Sequence, residues 1–256
     1  MDSFWTPYIF LVGLAAGSFL NVCVWRLPRN RSVVSPESAC PACKHAIRWR
    51  DNIPVLSWVF LRGKCRDCGA RISIRYPAVE LLTGLLFLFL WSRFPHDWTI
   101  VFPLYYGAAL LAITLTDYDL QIIPDALSLP GIPLGLLWRG WIGGDWPDAL
   151  IGMAVGGGSL WLIAELYFRI RKREGMGGGD VKLAAMMGAY LGWQPVLGVL
   201  FLSSLAGGLF GTGLILFRGG KGSAPIPFGV FLAPIGFLAL LYGEAWVARY
   251  LAFATG

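Results

Sequence analysis

The sequence predicts an all-α polytopic membrane protein, on three observations. Of its 256 residues 56% are hydrophobic and only 14% charged, with a mean hydropathy of +0.62. Apolar stretches close to the ~20 residues that cross a hydrocarbon core recur along the chain, and a helix is the form in which such a stretch satisfies its own backbone groups. One sizeable polar segment, residues 26–75, interrupts them and carries four of the five cysteines. The expected architecture is about eight transmembrane helices with a small cytoplasmic zinc-ribbon-like loop domain between the first and second.

Spans are expected at about 5–25, 76–94, 99–117, 126–143, 148–169, 181–193, 195–217 and 225–248. The first, WTPYIFLVGLAAGSFLNVCVW from Trp5 to Trp25, lacks the basic leader and small-residue cleavage site of a secretory signal, so it reads as a retained span. It follows Asp2 and precedes Arg26, Arg29 and Arg31, which places the N-terminus outside and residues 26–75 in the cytoplasm. The sixth is the shortest, because GAYLGWQP interrupts it. Three domains follow: 1–25 as the first transmembrane helix, 26–75 as the cytoplasmic loop domain, and 76–256 as a transmembrane helical domain.

Charges not used to draw the spans support this orientation. Eleven Lys/Arg between Arg26 and Arg75, with Arg169, Arg171, Lys172, Arg173, Lys182, Arg218 and Lys221, make eighteen inside; Arg93, Arg139 and Arg249 make three outside. The net charge of +6 is therefore explained by topology and anionic headgroups, and nucleic-acid binding is not expected. No repeat of 20 to 50 residues is evident, and VGGGS, Val155 to Ser159, reads as a helix-packing face.

In the polar segment, Cys40-x2-Cys43 and Cys65-x2-Cys68 form two close pairs twenty-one residues apart. Two such pairs suit a tetrahedral thiolate site, and zinc is favoured over two disulfides because the cytosol is reducing. Four thiolates leave no open coordination position, so the metal would be structural. His45 reads as a surface residue and Cys23, inside the first span, as a packing residue.

The third span ends in LAITLTDYDLQIIPDALSLPG and the sixth begins within GMGGGDVKL, at Asp180. Running in opposite directions, they bring Asp117 and Asp180 to one membrane face. Carboxylates near hydrocarbon are costly and mark a functional site by default. Asp125, after Pro124, reads as the N-cap of the fourth span, and Asp119 as a solvated neighbour. Asp180 is open to a capping role as well as a chemical one. A phosphate-binding reading fails for lack of G-x4-G-K-[ST]. A facing pair of carboxyls, one protonated, can activate water and protonate a carbonyl, which is aspartic proteolysis. No Ser-His-Asp set is available, since His96 falls in an outside loop and His45 in the cysteine segment.

These motifs together resemble the type IV prepilin peptidases, bifunctional leader peptidases and N-methyltransferases of bacterial inner membranes, related in motif to the G-x-G-D intramembrane aspartic proteases. The match runs from GSFLNVCVWRLP at Gly17 through both cysteine pairs, ISIRYPAVELLTG at Ile72, DYDLQIIPD at Asp117 and GMGGGDVKL at Gly175 to PIPFGVFLAP at Pro225. The resemblance implies Asp117 and Asp180 as catalytic residues, Cys40, Cys43, Cys65 and Cys68 as the zinc-pattern cysteines, and residues 26–75 as methyltransferase-associated. It implies cleavage of prepilins and pilin-like secretion precursors after a glycine, then methylation of the new amine by S-adenosylmethionine.

The methyl-donor site is less defined. Glu80, an acid inside the second span with Arg75, Tyr76 and Gly84 close by, is a candidate, against the alternative that it pairs structurally with an arginine. Glu165 invites the same two readings. Rival classes are a transporter, which would place sites at mid-membrane in two related halves, and a non-enzymatic membrane scaffold.

Overall fold

A computed structural model describes residues 2–173, 175–218 and 227–255. Lys221 and the first two residues of PIPFGVFLAP, with which the eighth expected span begins, lie outside the described residues. The chain divides into two compact units, residues 1–108 and 109–256. Among the described residues the regular structure is helical, with two isolated antiparallel bridges, Ala39 with Ala46 and Lys64 with Arg71.

The first unit is built on α1, Asp2–Arg26, lying antiparallel to α3, Arg75–Arg93. Gly13, Gly17 and Asn21 recur every four residues and share one face of α1. A Cβ on Gly13 would stand 2.8 Å from the Gly84 Cα, and one on Gly17 2.6 Å from the Glu80 Cα, so only glycine admits this approach. One turn further, the Asn21 amide donates to the Tyr76 carbonyl at 3.1 Å. Pro28 follows the end of α1, and Phe94-Pro95 the end of α3. Between these helices the cysteine segment holds one short helix, α2, Leu56–Phe60. The next helix, α4, spans Val101–Leu120, after a 3-10 turn in which Asp97 accepts the Thr99 N–H at 2.8 Å.

The second unit centres on α7, Gly178–Leu191, of which Leu183, Ala184 and Met186 through Leu191 are buried. Around it pack α5, Asp125–Leu136; α6, Trp146–Arg171; α8, Trp193–Arg218; and α9, Gly229–Thr255. Glycines set the α6–α7 distance. Gly156, in the predicted packing face, lies against the Ala184 carbonyl, and Gly152, outside it, lies backbone to backbone against Gly188. On the other side a Cβ at Gly135 of α5 would meet the Tyr190 ring at 2.6 Å. At the far end, Arg139 pairs with Asp148 of α6 and reaches Glu244 of α9 at 3.4 Å.

Among the described residues five helices, not eight, are long and apolar enough to cross a membrane: Phe4–Arg29, Trp98–Leu120, Trp146–Arg171, Trp193–Phe217 and Gly229–Thr255. The three other expected spans fail for different reasons. The segment 76–94 is α3, which carries Glu80 inside and arginines at both ends. The segment 126–143 divides into a 12-residue α5 with Pro130 and Pro133 inside it and a π-helical turn, Leu137–Ile142. The segment 181–193 is the 14-residue α7, about 21 Å long against a hydrocarbon core of ~30 Å. Gly156→Ala is expected to lower the thermal unfolding midpoint by several degrees. Gly158→Ala, whose Cβ meets nothing within 4 Å, is expected to hold or raise it, since alanine is preferred to glycine in a helix by about 1 kcal/mol.

Candidate functional site

Asp117 lies near the C-terminal end of α4 and is 4% exposed. The N-terminus of α9 holds its carboxylate: the Val230 N–H donates to Oδ2 at 3.0 Å, and the Gly229 N–H donates as well. First-turn N–H groups have no partner inside their own helix, and the positive end of the helix dipole favours a carboxylate there. Sequence reasoning missed this anchor, 113 residues away; its one trace was the glycine of PFGV ahead of an apolar run.

Asp180 sits in the first turn of α7, half-buried. Gly177, not Asp180, is the N-cap residue, and the Asp180 carboxylate reaches back to accept the Gly177 N–H. This is one half of a capping box. The capping and chemical readings therefore coexist. The two carboxylates are near enough for the charge on Asp117 to act on Asp180. Ile123 is the wedge between their supports: a Cβ at Gly179 would lie 2.8 Å from the Ile123 Cβ, and one at Gly229 would lie 3.2 Å from its Cδ1. The same Cβ at Gly229 would stand 2.8 Å from the Asp117 Oδ2. Two carboxyls within reach of each other's charge can divide the roles of general base and general acid toward one water and one carbonyl.

The neighbouring acids fall elsewhere. Asp125 is the first residue of α5 and does not cap it; its carboxylate takes the Lys182 ammonium at 2.7 and 2.8 Å, tying α5 to α7. Asp119 is exposed. Glu165 pairs with Arg169 at 2.7 Å, one turn along α6, the structural one of its two expected readings. His96 stacks on Trp91 with ring centroids 4.2 Å apart and bonds to the Trp91 carbonyl at 2.7 Å.

The four cysteines of residues 26–75 form one cluster, their Sγ atoms within 4.8 Å of one another and none in a disulfide. The two C-x2-C knuckles are built alike. In each, the first cysteine N–H donates to a carbonyl five residues on, His45 or Ala70, and accepts at its own carbonyl from the residue four on, Lys44 or Gly69. Those two residues take the positive φ that closes the turn, 63° and 72°. Cys43 and Ala42 N–H groups donate to the Cys40 sulfur and pull its thiol down to about 6.

Cys40 and Cys68 sulfurs stand 3.8 Å apart, and Cys43 and Cys65 4.0 Å. Zn–S bonds of about 2.3 Å in a tetrahedron require sulfurs about 3.8 Å apart, so the set fits a closed zinc site. His45 lends its backbone and is not a ligand in this set. Arg66, between the cysteines of the second knuckle, forks onto Asp51 at 2.6 to 3.0 Å and holds that carboxyl below its usual range. Cys23 is buried in α1, as expected of a packing residue.

Glu80 is buried on α3, where its carboxylate meets a backbone N–H and a hydroxyl. Its Oε2 accepts the Val55 N–H at 2.7 Å, and the Ser18 hydroxyl bonds to the same carboxylate. The GSFLN stretch carried that signal unread: Gly17 lets α1 close on Glu80 and Ser18 meets it. Arg75 begins α3, five residues before Glu80.

A helical membrane protein with one buried and one half-buried carboxylate near each other and a tetracysteine cluster falls in the class of candidate membrane aspartic peptidases. Residues 104–212 match the type IV leader peptidase family and residues 11–94 the bacterial peptidase A24 N-terminal domain. The prepilin leader peptidase/N-methyltransferase of Aeromonas salmonicida is 42% identical over 270 residues, covering 95% of this chain and 92% of its own. The protein of that name from Pseudomonas aeruginosa is 40% identical over 273 residues, covering 95% and 92%, and that from Myxococcus xanthus 42% over 216, covering 84% and 64%. No solved structure matches the chain. The chain belongs to the type IV leader peptidase family.

Two outcomes are expected. Gly179→Ala, which drives a Cβ into Ile123, should lower leader cleavage by about 10²-fold, the scale of a small misplacement at a reacting centre; Gly178→Ala, open on that side, should leave cleavage near wild type. Elemental analysis should find about one zinc per chain, lost in the Cys40→Ser, Cys65→Ser double variant.

Proposed function

We propose that the chain is a membrane aspartic endopeptidase that removes the leader of type IV prepilins and pilin-like secretion precursors after glycine, then N-methylates the new N-terminal residue. The observation that carries this is the approach of Asp117 and Asp180 within the second unit, in a chain whose relatives bear that activity in their names. Transport and a purely structural scaffold are not favoured by that kinship.

In the hydrolytic step the ionised member of the pair takes a proton from water as the water oxygen attacks the scissile carbonyl carbon. The protonated member gives its proton to the carbonyl oxygen. Collapse of the tetrahedral intermediate breaks the C–N bond: one carboxylate takes a hydroxyl proton as the C=O re-forms, the amine leaves with a proton from the pair, and the pair, which titrates as a unit, regains its starting state with one proton. The α9 N–H donors fix the Asp117 oxygen and the Gly177 N–H fixes Asp180, so the geometry needs little reorganisation.

Methyl transfer then takes the freed amine as nucleophile, with S-adenosylmethionine supplying an electrophilic methyl group. We assign this half to residues 26–75 with Arg75 and Glu80, the four cysteines holding a structural zinc that keeps the segment folded.

We further place the protein in the bacterial inner membrane with its N-terminus periplasmic. The cysteine segment, with eleven Lys/Arg against three acids, is assigned to the cytoplasmic side. The carboxylate pair is assigned to the cytoplasmic face, where Arg169 and Arg171 end α6 and Lys182 lies near the start of α7. A prepilin suits that face, with a short basic leader ahead of an apolar helix held in the bilayer.

The test incubates the purified protein with a pilin-type precursor and S-adenosylmethionine and weighs the product. Leader loss plus one methyl is expected. Asp117→Asn and Asp180→Asn should each abolish cleavage; retention of activity in either removes the assignment. Asp125→Asn should change turnover only a few-fold, because an exposed ion pair contributes about 1 kcal/mol or less.

A further inference from the structure

Val55 is a β-branched residue at φ 61° and ψ −51°, a conformation L side chains resist. It is the centre of a tight turn in which the Leu56 N–H donates to the Pro54 carbonyl at 2.6 Å. Two side chains hold this turn. The Ser57 hydroxyl oxygen accepts the Ile53 N–H at 2.9 Å while donating to the Arg50 carbonyl at 3.0 Å. From outside the segment, the Glu80 carboxylate takes the Val55 N–H at 2.7 Å, and Ser18 of α1 steadies that carboxylate. The turn also leads to the metal knuckle: the Trp58 indole donates to the Ile72 carbonyl at 3.1 Å, its ring packs on Gly63, and Cys65 lies two residues beyond.

Strained backbone persists only where its surroundings over-determine it, and such residues gather at functional sites. Among the described residues Glu80 is the acceptor of the strained N–H, and it comes from α3, 25 residues away. The Asp117–Asp180 pair is made from other residues altogether, all in 109–256.

We propose that Glu80 is a positioning residue for methyl transfer: its carboxylate latches the Ile53–Ser57 turn of the cysteine segment to α3, and it is not a ligand of the methyl donor. This rests on the proposed methyl-transfer activity. A latch needs an acceptor for one N–H, which glutamine supplies as well as glutamate. A ligand for a cationic methyl donor needs the negative charge.

The test follows leader cleavage and methyl incorporation separately in the full-length protein, with a pilin-type precursor and labelled S-adenosylmethionine. Glu80→Ala is expected to lower methylation at least about 10-fold with cleavage within about two-fold, and Glu80→Gln to keep methylation within about three-fold. Val55→Gly, which removes the penalty for positive φ, should restore a large part of the methylation lost in Glu80→Ala. Tryptic cutting at Arg50 should rise in Glu80→Ala and fall back in the double variant. Loss in Glu80→Gln equal to that in Glu80→Ala, with no rescue by Val55→Gly, overturns the latch in favour of a charged ligand. Unchanged methylation in Glu80→Ala also overturns it. If Glu80→Ala fails to fold, the Glu80→Gln variant decides alone. A wild-type protein that cleaves without methylating would refute the proposed function, and is read before any variant.

Discussion

The second unit depends on the contact of α6 and α7 backbone to backbone. Lipid tails are as apolar as leucine, so burial gives no net drive to bring two helices together inside a membrane. Association rests instead on close dispersion contact, which falls away within an ångström of separation. Gly152 against Gly188 and Gly156 against Ala184 bring the helices as near as main chains permit. With that contact made, α7 has α5, α8 and α9 around it and needs no lipid face of its own. A helix too short to cross a membrane becomes the centre of the unit, and its first turn carries Asp180 to a fixed place.

The site answers the cost of placing acids near hydrocarbon by satisfying each with backbone donors. Asp117 takes N–H groups from the first turn of α9, and Asp180 takes the N–H of its own N-cap glycine. These donors do structural work at helix ends that would otherwise be unpaired. They also hold the carboxylates still. The glycines at 179 and 229 matter through the side chain they lack, since Ile123 occupies the space between them.

The first unit repeats the logic at smaller scale. Gly13 and Gly17 close α1 on α3, Asn21 and Ser18 convert that closeness into hydrogen bonds, and Glu80 passes the register on to Val55. The cysteine segment has little apolar core. Its order comes from two knuckles with the same hydrogen bonds, four converging sulfurs and the Arg66–Asp51 fork.

Much of this was legible without coordinates. Helix follows from apolar length, because an unpaired amide in lipid is too costly for any other local form. The cysteine cluster follows from two C-x2-C pairs, since a knuckle places both its sulfurs by local geometry. The choice of Asp117 and Asp180 over Asp119 and Asp125 rested on motif and resemblance, and the charge on Asp117 reaches Asp180. What the sequence could not decide was partnership across long separations. Hydropathy counted α3, α5 and α7 as spans because it weighs the apolar run, while the charges in α3, the prolines inside α5 and the shortness and coverage of α7 set them apart from the five long apolar helices. Asp125 finds Lys182, Glu80 finds Val55, and Asp117 finds the start of α9, each pairing set by the packing of helices far apart in the chain. A short-range pattern carries no record of those encounters, because they exist only once the glycine faces have closed.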